Sequence, residues 1–139
     1  MSIIESNNAG IRSVIEEWFR KYVANNVHPN VVKIAGKFSH IDVKGDVVIE
    51  NYQEVELPFY IKFGEIKGNF TCSSSKLLSM SGFPRKVSND FTCKDCPNIT
   101  SLTGMPTYIG GNCDIHNCGM NCSEYDIMTI CDVTGNVYC

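Results

Sequence analysis

Apolar and polar residues alternate in the same way at five places along this chain. The units begin 23, 21, 22 and 24 residues apart, at Gly45, Gly68, Asn89, Gly111 and Gly135. In every unit the second residue is Asn or Asp, the third and fifth are apolar, and the fourth varies. Because side chains on a strand alternate between two faces, the pattern predicts one strand per unit. The third and fifth positions should face the core, and the second, fourth and sixth should lie on the outer surface of a parallel sheet.

The rest of each unit predicts a tight return to the next strand. A Gly-x-Pro turn occurs at 82–84 and again at 104–106, and one apolar residue, Val87 or Ile109, precedes the following strand. One strand and one return in 21 to 24 residues fits a leucine-rich-repeat-like solenoid, whose period is about 20 to 29 residues. We therefore predict an α+β repeat protein with a parallel sheet, its repeats spanning 45–116.

The segment before the repeats predicts a helix and a hairpin. Apolar residues at helical spacing predict an amphipathic capping helix over 9–26, with Asn7 or Asn8 as its N-cap. A helix that docks on a partner is the alternative. Strand-forming residues on both sides of 44–46 predict a β-hairpin over 31–50, whose second arm is the first repeat strand.

The segment after the repeats predicts a C-terminal cap over 117–139, since terminal repeats are usually atypical. Mild periodicity from Glu124 to Cys131 predicts a short helix, and 135–139 predicts a final edge strand. An edge strand is a site where another chain can pair, so two copies of this chain joining through that strand is one expectation.

Length and charge narrow the class of protein. At 139 residues the chain is expected to form a single domain, 1–139. The net charge of −3 and the lack of a basic run argue against nucleic-acid binding. No apolar window approaches the roughly 18 to 20 residues needed to span a bilayer. The start MSIIESNN lacks the pattern of a secretion signal, so we expect a cytoplasmic protein without a membrane partner.

The eight cysteines all lie after residue 71 and allow three interpretations. A reducing cytoplasm disfavours a disulfide framework. Zinc bound by Cys93, Cys96, Cys118 and Cys122 is an alternative, although the later spacings are irregular. Small apolar core residues are the favoured interpretation, because free cysteine is among the most buried residue types.

No constellation in the sequence indicates an enzyme or a cofactor site. The three histidines are His28, His40 and His116, and His116 is the one near cysteines in sequence, at Cys113 and Cys118. A cysteine nucleophile needs a base nearby, but cysteines on an inward face are inert. We predict a non-enzymatic protein that needs no cofactor and no metal.

The predicted outer sheet face is the candidate binding site, because stacked repeats free this surface from core packing. Its C-terminal end is favoured, since aromatic residues often anchor interfaces; an ordinary solvated sheet face is the alternative. The candidate protein-binding residues are Val48, Glu50, Thr71, Ser73, Thr92, Lys94, Asp114, His116 and Tyr138.

The repeat resembles a known group of proteins. Gly68-Asn69-Phe70-Thr71-Cys72-Ser73, followed by Leu77 and then Ser79 to Pro84 and Val87, is similar to units close to GNFxCSxNxLxSLxGxPxxVG. These units recur after an amphipathic helix and a short hairpin in small proteins of T-even-like and other large bacteriophages. The similarity covers roughly residues 10 to 116.

The resemblance implies a bacteriophage protein that acts in the host cell cytoplasm by binding a host or phage protein. Inhibiting or redirecting a host defence factor, toxin or nuclease is the activity we expect from it. A zinc-stabilised cysteine-rich module and an accessory structural protein of the virion are the alternatives.

Overall fold

The strands of each repeat lie on two sheets that enclose one core. The computed structural model describes residues 3–35 and 40–139. In chain order the elements are α1 (Ile3–Tyr22), a 3-10 turn (Pro29–Val31), β1 (Val32–Ala35), β2 (His40–Val43), β3 (Val47–Glu50), β4 (Phe63–Ile66), β5 (Phe70–Ser73), β6 (Lys86–Val87), β7 (Phe91–Cys96), β8 (Tyr108–Ile109), β9 (Cys113–Cys118), α2 (Glu124–Ile130), β10 (Asp132–Val133) and β11 (Val137–Tyr138).

The chain forms a β-solenoid of about four turns. Within the described residues, β3, β5, β7, β9 and β11 pair in parallel as the front sheet, and β2, β4, β6, β8 and β10 pair in parallel as the back sheet, with β1 antiparallel to β2. The solenoid with a parallel sheet is confirmed. The prediction of a single sheet with a tight return was incomplete. Val87 and Ile109, which we placed in the return, belong to two-residue strands of the back sheet.

Helix α1 caps the first turn but differs in its bounds from the prediction. It spans Ile3–Tyr22 rather than 9–26, so Asn7 and Asn8 lie within it instead of capping it. It ends at Tyr22 because the chain then becomes the neighbour of β3. Val23 forms an antiparallel bridge with Ile49, and the Ala24 N–H donates to the Val48 carbonyl at 2.7 Å.

The hairpin is shorter than predicted and turns elsewhere. Antiparallel pairing joins β1 to β2, and the connection between them, 36–39, lies outside the described residues. Residues 44–46 form a corner that leads from the back sheet to the front sheet. Strand β3 therefore pairs in parallel with β5 and is not the return arm of a hairpin.

At one corner of the solenoid, the second residues of successive units are joined by hydrogen bonds. The N–H of Asn69 donates to Asp46 Oδ1 at 2.8 Å, and the N–H of Asp90 donates to Asn69 Oδ1 at 2.9 Å. Asn112 and Asn136 continue the series at 2.8 and 2.9 Å. The side chains of Asp46, Asn69, Asp90 and Asn112 thus satisfy backbone N–H groups of the next turn, so the second position is a structural position and lies outside the candidate binding face.

The opposite corner is made by residues in the left-handed backbone region. Asn51, Ser74, Asp95 and Asn117 follow the front-sheet strands or lie near their ends, with φ between 53 and 56°. Asn and Asp tolerate this conformation better than other non-glycine residues. Each such residue shifts the alternation by one, so that the next residue turns inward. Those next residues are Tyr52, Ser75, Cys96 and Cys118.

The C-terminal cap has the predicted elements. Ser123 caps α2 by accepting the Asp126 N–H at 3.2 Å, and Asp126 accepts the Ser123 N–H at 2.9 Å. Ile127 is fully buried beneath it. In the part of the chain that the structure describes, β11 pairs with β9 alone and leaves its other edge open. Neither described helix is long and apolar enough to cross a membrane.

Candidate functional site

The front sheet brings all nine predicted residues onto one face in register. The fourth positions of successive units are direct neighbours, and so are the sixth positions. One row contains Val48, Thr71, Thr92, Asp114 and Tyr138; the other contains Glu50, Ser73, Lys94 and His116. Neighbouring strands in a sheet are about 4.8 Å apart, so each row is a closely spaced line of side chains.

The exposure of these residues varies along the face. Glu50 and Tyr138 are exposed, and most of the others are half-buried by their neighbours. Ser73 departs from the prediction, because only 8% of it is exposed. It lies between the longer side chains of Glu50 and Lys94 in its row, so it contributes little surface of its own.

The C-terminal end of the face is its most polar and most open part. His116 Nδ1 lies 2.6 Å from Asp114 Oδ1, so the carboxylate fixes the orientation of the imidazole ring. Tyr138 stands at the open edge with half of its surface exposed. At the other end, Asn25 Oδ1 accepts the Val48 N–H at 2.8 Å and covers the edge of β3. A partner strand therefore finds free backbone groups at β11 rather than at β3.

Helix α2 carries exposed apolar residues that the sequence did not assign to a site. Tyr125 is 77% exposed, and Met128 and Ile130 are also exposed on the same short helix. The helix contacts β11, the strand that carries Tyr138. The signal was present as mild apolar periodicity, from which we predicted a short helix of the C-terminal cap. Ile127 is the buried residue of this helix.

A second exposed feature is a cleft between α1 and the segment that follows it. It has a volume of about 510 Å³ and an apolar floor made by Ile15, Phe19, Val23 and Val32. Arg20 stands at its rim. The cleft corresponds to the helix-docking alternative, although the inner side of the helix is already packed on the first turn through Trp18 and Phe19.

The cysteines mostly fill the core, as favoured from the sequence. Cys72, Cys93, Cys96, Cys113 and Cys131 are buried, and all eight cysteines are free thiols. Burial raises the pKa of Cys113 to about 12 and that of Cys131 to about 11. The hydrogen bond with Cys118, the contact with Cys96 and burial together raise the pKa of Cys93. Protonated thiols are weak nucleophiles.

Four of these cysteines meet at the corner after the front-sheet strands. Cys93 Sγ lies 3.9 Å from Cys118 Sγ, and Ser75 Oγ donates to Cys96 Sγ at 3.1 Å. Cys72 Sγ lies 3.8 Å from the same hydroxyl. Sequence spacing predicted the contacts among Cys93, Cys96 and Cys118 only as part of a zinc set.

The zinc set itself is divided in the structure. Cys122 lies near Cys139. Cys72 lies opposite Cys93 in the front sheet, and Cys96 Sγ is 3.9 Å from the Cys72 carbonyl oxygen. Among the described residues, no group of three or more His, Cys, Asp or Glu side chains is arranged to hold a metal ion.

The cysteine–histidine pairs considered for catalysis do not face each other. Cys113 is fully buried in the core, whereas the His116 ring lies on the front face against Asp114. Cys118 Sγ contacts the backbone carbonyl of His116 at 3.7 Å rather than its ring. A base within hydrogen-bond reach of the nucleophile is the usual requirement of such a pair, and these residues do not provide it.

Comparison with protein-family models, with curated proteins and with solved structures finds no match for this chain.

Proposed function

We propose that this chain is a non-enzymatic, leucine-rich-repeat-like binding protein of a bacteriophage. It acts in the host cytoplasm and binds a host protein, such as a defence factor, toxin or nuclease, which it inhibits or redirects. The phage origin and the kind of target rest on the resemblance of the repeats. The binding site rests on the front sheet.

The observation that supports binding is the separation of roles along the repeat. In the first four units the third and fifth positions are buried in the core, whereas in the fifth unit Val137 is half-buried and Cys139 is exposed. The second positions hold one turn to the next. As a class, the fourth and sixth positions neither fill the core nor hydrogen-bond one turn to the next. They nevertheless form two continuous rows on the sheet. A rigid row of side chains loses little conformational entropy when a partner binds, which favours affinity.

The size of the face indicates what else a partner must contact. Five strands of about four residues outline roughly 20 Å by 13 Å, or about 260 Å². A stable protein–protein interface buries about 800 Å² on each partner. The partner must therefore extend beyond the sheet, and the apolar residues of α2, Tyr125, Met128 and Ile130, adjoin its open end.

The test compares two variants that each combine a change to glutamate with a Tyr→Ala change, on opposite sheets. The front variant combines Thr92→Glu with Tyr138→Ala. The control variant combines Lys86→Glu with Tyr108→Ala, at exposed positions of the back sheet. Each chain is used for affinity capture from infected cells, and the captured protein is purified and titrated against all three chains. We expect the front variant to bind at least about 100-fold more weakly, since losing an aromatic anchor and adding an unpaired charge each cost a few kcal/mol.

The outcomes separate this proposal from its alternatives. Equal loss in both variants would show that the changes act through folding, which circular dichroism checks directly. Equal retention in both would exclude the front face as the site. Recovery of this chain in purified virions would indicate the structural role, and a dimer that the Tyr138 change dissociates would indicate pairing of two copies through β11.

A further inference from the structure

Two thiols on successive turns of the solenoid point directly at each other. Cys93 belongs to β7, and Cys118 ends β9. Their sulfur atoms are 3.9 Å apart, and Cys118 Sγ also lies 3.5 Å from the Cys93 carbonyl oxygen. The two sulfurs are thus in contact but not bonded.

The left-handed corner places Cys118 in this position. Asn117 has a φ of 53°, so the residue after it turns toward the core although alternation would direct it elsewhere. The side-chain amide of Asn117 donates to Asp95 Oδ1 at 3.0 Å, which fixes this corner against the preceding turn. In the sheet register Cys93 lies opposite Ile115 and Cys118 lies opposite Cys96, so Cys93 and Cys118 are diagonal neighbours on adjacent strands. A disulfide between them requires Cα atoms about 4.4 to 6.8 Å apart.

Cys93 and Cys118 differ in their access to solvent. Cys93 is fully buried, whereas Cys118 is half-buried at the rim of the corner. A small oxidant therefore reaches Cys118 first. Cys96, the other near thiol, is fully buried and is engaged by the Ser75 hydroxyl at 3.1 Å and by the Lys94 carbonyl at 3.3 Å. Cys93 is the better placed partner for Cys118.

We propose that Cys93 and Cys118 form an oxidation site, at which hydrogen peroxide links the third and fourth turns of the solenoid through a disulfide. The Cys118 sulfur attacks one peroxide oxygen, the O–O bond breaks, and the released hydroxide takes the thiol proton and leaves as water. The Cys93 sulfur then attacks the sulfenic acid sulfur of Cys118. The S–O bond breaks, the hydroxyl leaves as water with the Cys93 proton, and two thiols and one peroxide have become one disulfide and two waters.

The crosslink would change the stability of the end that carries the proposed binding residues. It would close a loop from Cys93 to Cys118 that contains β8 and most of β9. Crosslinks of this loop length restrict the unfolded chain, and we expect the thermal midpoint of the oxidised protein to rise by roughly 10 °C. Asp114 and His116 lie within this loop, so oxidation would hold that part of the front face in place.

Peptide mapping tests the assignment, because cleavage before aspartate separates the relevant cysteines. Cys93 falls in the fragment 90–94, Cys96 and Cys113 in 95–113, and Cys118 and Cys122 in 114–125. The full chain carrying Cys122→Ser and Cys139→Ser is reduced, treated with hydrogen peroxide, alkylated under denaturing conditions and digested without reductant. We expect 90–94 to be joined to 114–125, with Cys96 alkylated.

Two single substitutions in the same background complete the test. With Cys93→Ala, Cys118 should accumulate as a sulfenic acid that a 1,3-diketone probe labels, and no crosslinked fragment should form. With Cys118→Ala, Cys93 should remain a free thiol after the same treatment. A link between 95–113 and 114–125 would make Cys96 the partner and overturn the proposal, as would a native chain in which Cys118 is fully alkylated after peroxide. Circular dichroism confirms folding, and Cys118→Ala, at a half-buried position, keeps the test valid if Cys93→Ala unfolds.

Discussion

Replacing Phe70 by alanine tests whether the solenoid depends on its aromatic core. Phe70 is fully buried and lies between successive turns. Its ring contacts Phe63 at 5.6 Å, Phe83 at 5.2 Å and Phe91 at 5.9 Å between centroids, and it is nearly parallel to the ring of Phe91. Removing it therefore breaks the contact of the second turn with the third as well as a layer of the core.

The burial of Phe70 sets the expected loss in the free energy of unfolding. A buried Phe→Ala change costs about 3 to 5 kcal/mol, through lost transfer free energy and the cavity left behind. Three aromatic contacts place Phe70 at the upper end of that range, so we expect about 4 to 5 kcal/mol. The whole domain is expected to be stable by only about 5 to 15 kcal/mol. With a urea slope of about 2 kcal/mol/M, the unfolding midpoint should fall by roughly 2 M.

Phe59→Ala provides the matched control, since it is the same substitution at a side chain that is 87% exposed. Its ring contacts Tyr60 alone among the described aromatic pairs, and exposed changes of this kind stay within about 0.5 kcal/mol. Urea unfolding followed by circular dichroism measures both variants. A loss below about 1 kcal/mol for Phe70→Ala, or equal losses for the two, would refute the described core.

The buried thiols, the glycine turns and the hydrogen-bonded Asn and Asp corner each allow a further prediction. The raised pKa values of Cys72, Cys93 and Cys113 mean that the unfolded chain releases protons first as pH rises through about 9, the ordinary thiol value. The contribution of these buried thiols to the free energy of unfolding is therefore intact below that pH and falls above it, by about 1.4 kcal/mol per thiol at pH 10. Urea titrations at pH 8 and 10 should show this loss of stability, and Cys113→Ala should make the loss smaller. Gly104→Ala should destabilise by more than about 1 kcal/mol, because Gly104 has a φ of +94° and an added Cβ would meet the Met80 carbonyl oxygen at 2.7 Å. Gly10→Ala, in open space on α1, should instead stabilise by about 0.5 to 1 kcal/mol. Asn112→Ala should cost about 1 kcal/mol by removing the acceptor of the Asn136 N–H, whereas Asn98→Ala, at an exposed turn, should be neutral; a thermal unfolding series that ranks the two equally would contradict this assignment.

The front sheet could be predicted because its signal is repeated. Alternation over four residues is weak in one unit, but five aligned copies fix which positions face inward. Phe70 and Phe91, or Cys72 and Cys93, then fall into register without any knowledge of the structure. The rows of the candidate face follow from the same alignment, since a residue between two inward positions must point outward.

The back sheet could not be predicted in the same way. Strands such as Lys86–Val87 and Tyr108–Ile109 have two residues and one inward side chain each. A single apolar residue carries no periodicity, so it indicates burial but not strand structure. The hairpin was placed wrongly for a related reason: Lys44-Gly45-Asp46 has turn chemistry, but turn chemistry does not distinguish a return between paired strands from a corner between two sheets.

The corner residues show where alternation itself fails. Asp95 and Asn117 adopt left-handed backbone conformations, so Cys96 and Cys118 turn inward one residue later than the pattern directs. The signal was available, because Asn51, Ser74, Asp95 and Asn117 occur at equivalent places and belong to the residue types that favour turns. The close approach of Cys93 to Cys118 depends on this shift, and for that reason sequence spacing indicated a metal set instead of a thiol pair.

The variation among units separates structural positions from those free to serve a partner. Second positions are Asp or Asn in all five units, and in the first four they accept a backbone N–H from the next turn. Fourth positions have no such duty and differ in chemistry: they are Val48, Thr71, Thr92, Asp114 and Tyr138. A solvated face without a partner would tolerate any polar residue. Tyr138 stands beside the open edge of β11, where its hydroxyl accepts a hydrogen bond from the Asn136 side-chain amide at 3.3 Å while half of its surface stays exposed. The divergence at the C-terminal end of the front sheet, where β11 also contacts α2, is thus the reason to place the proposed binding specificity there.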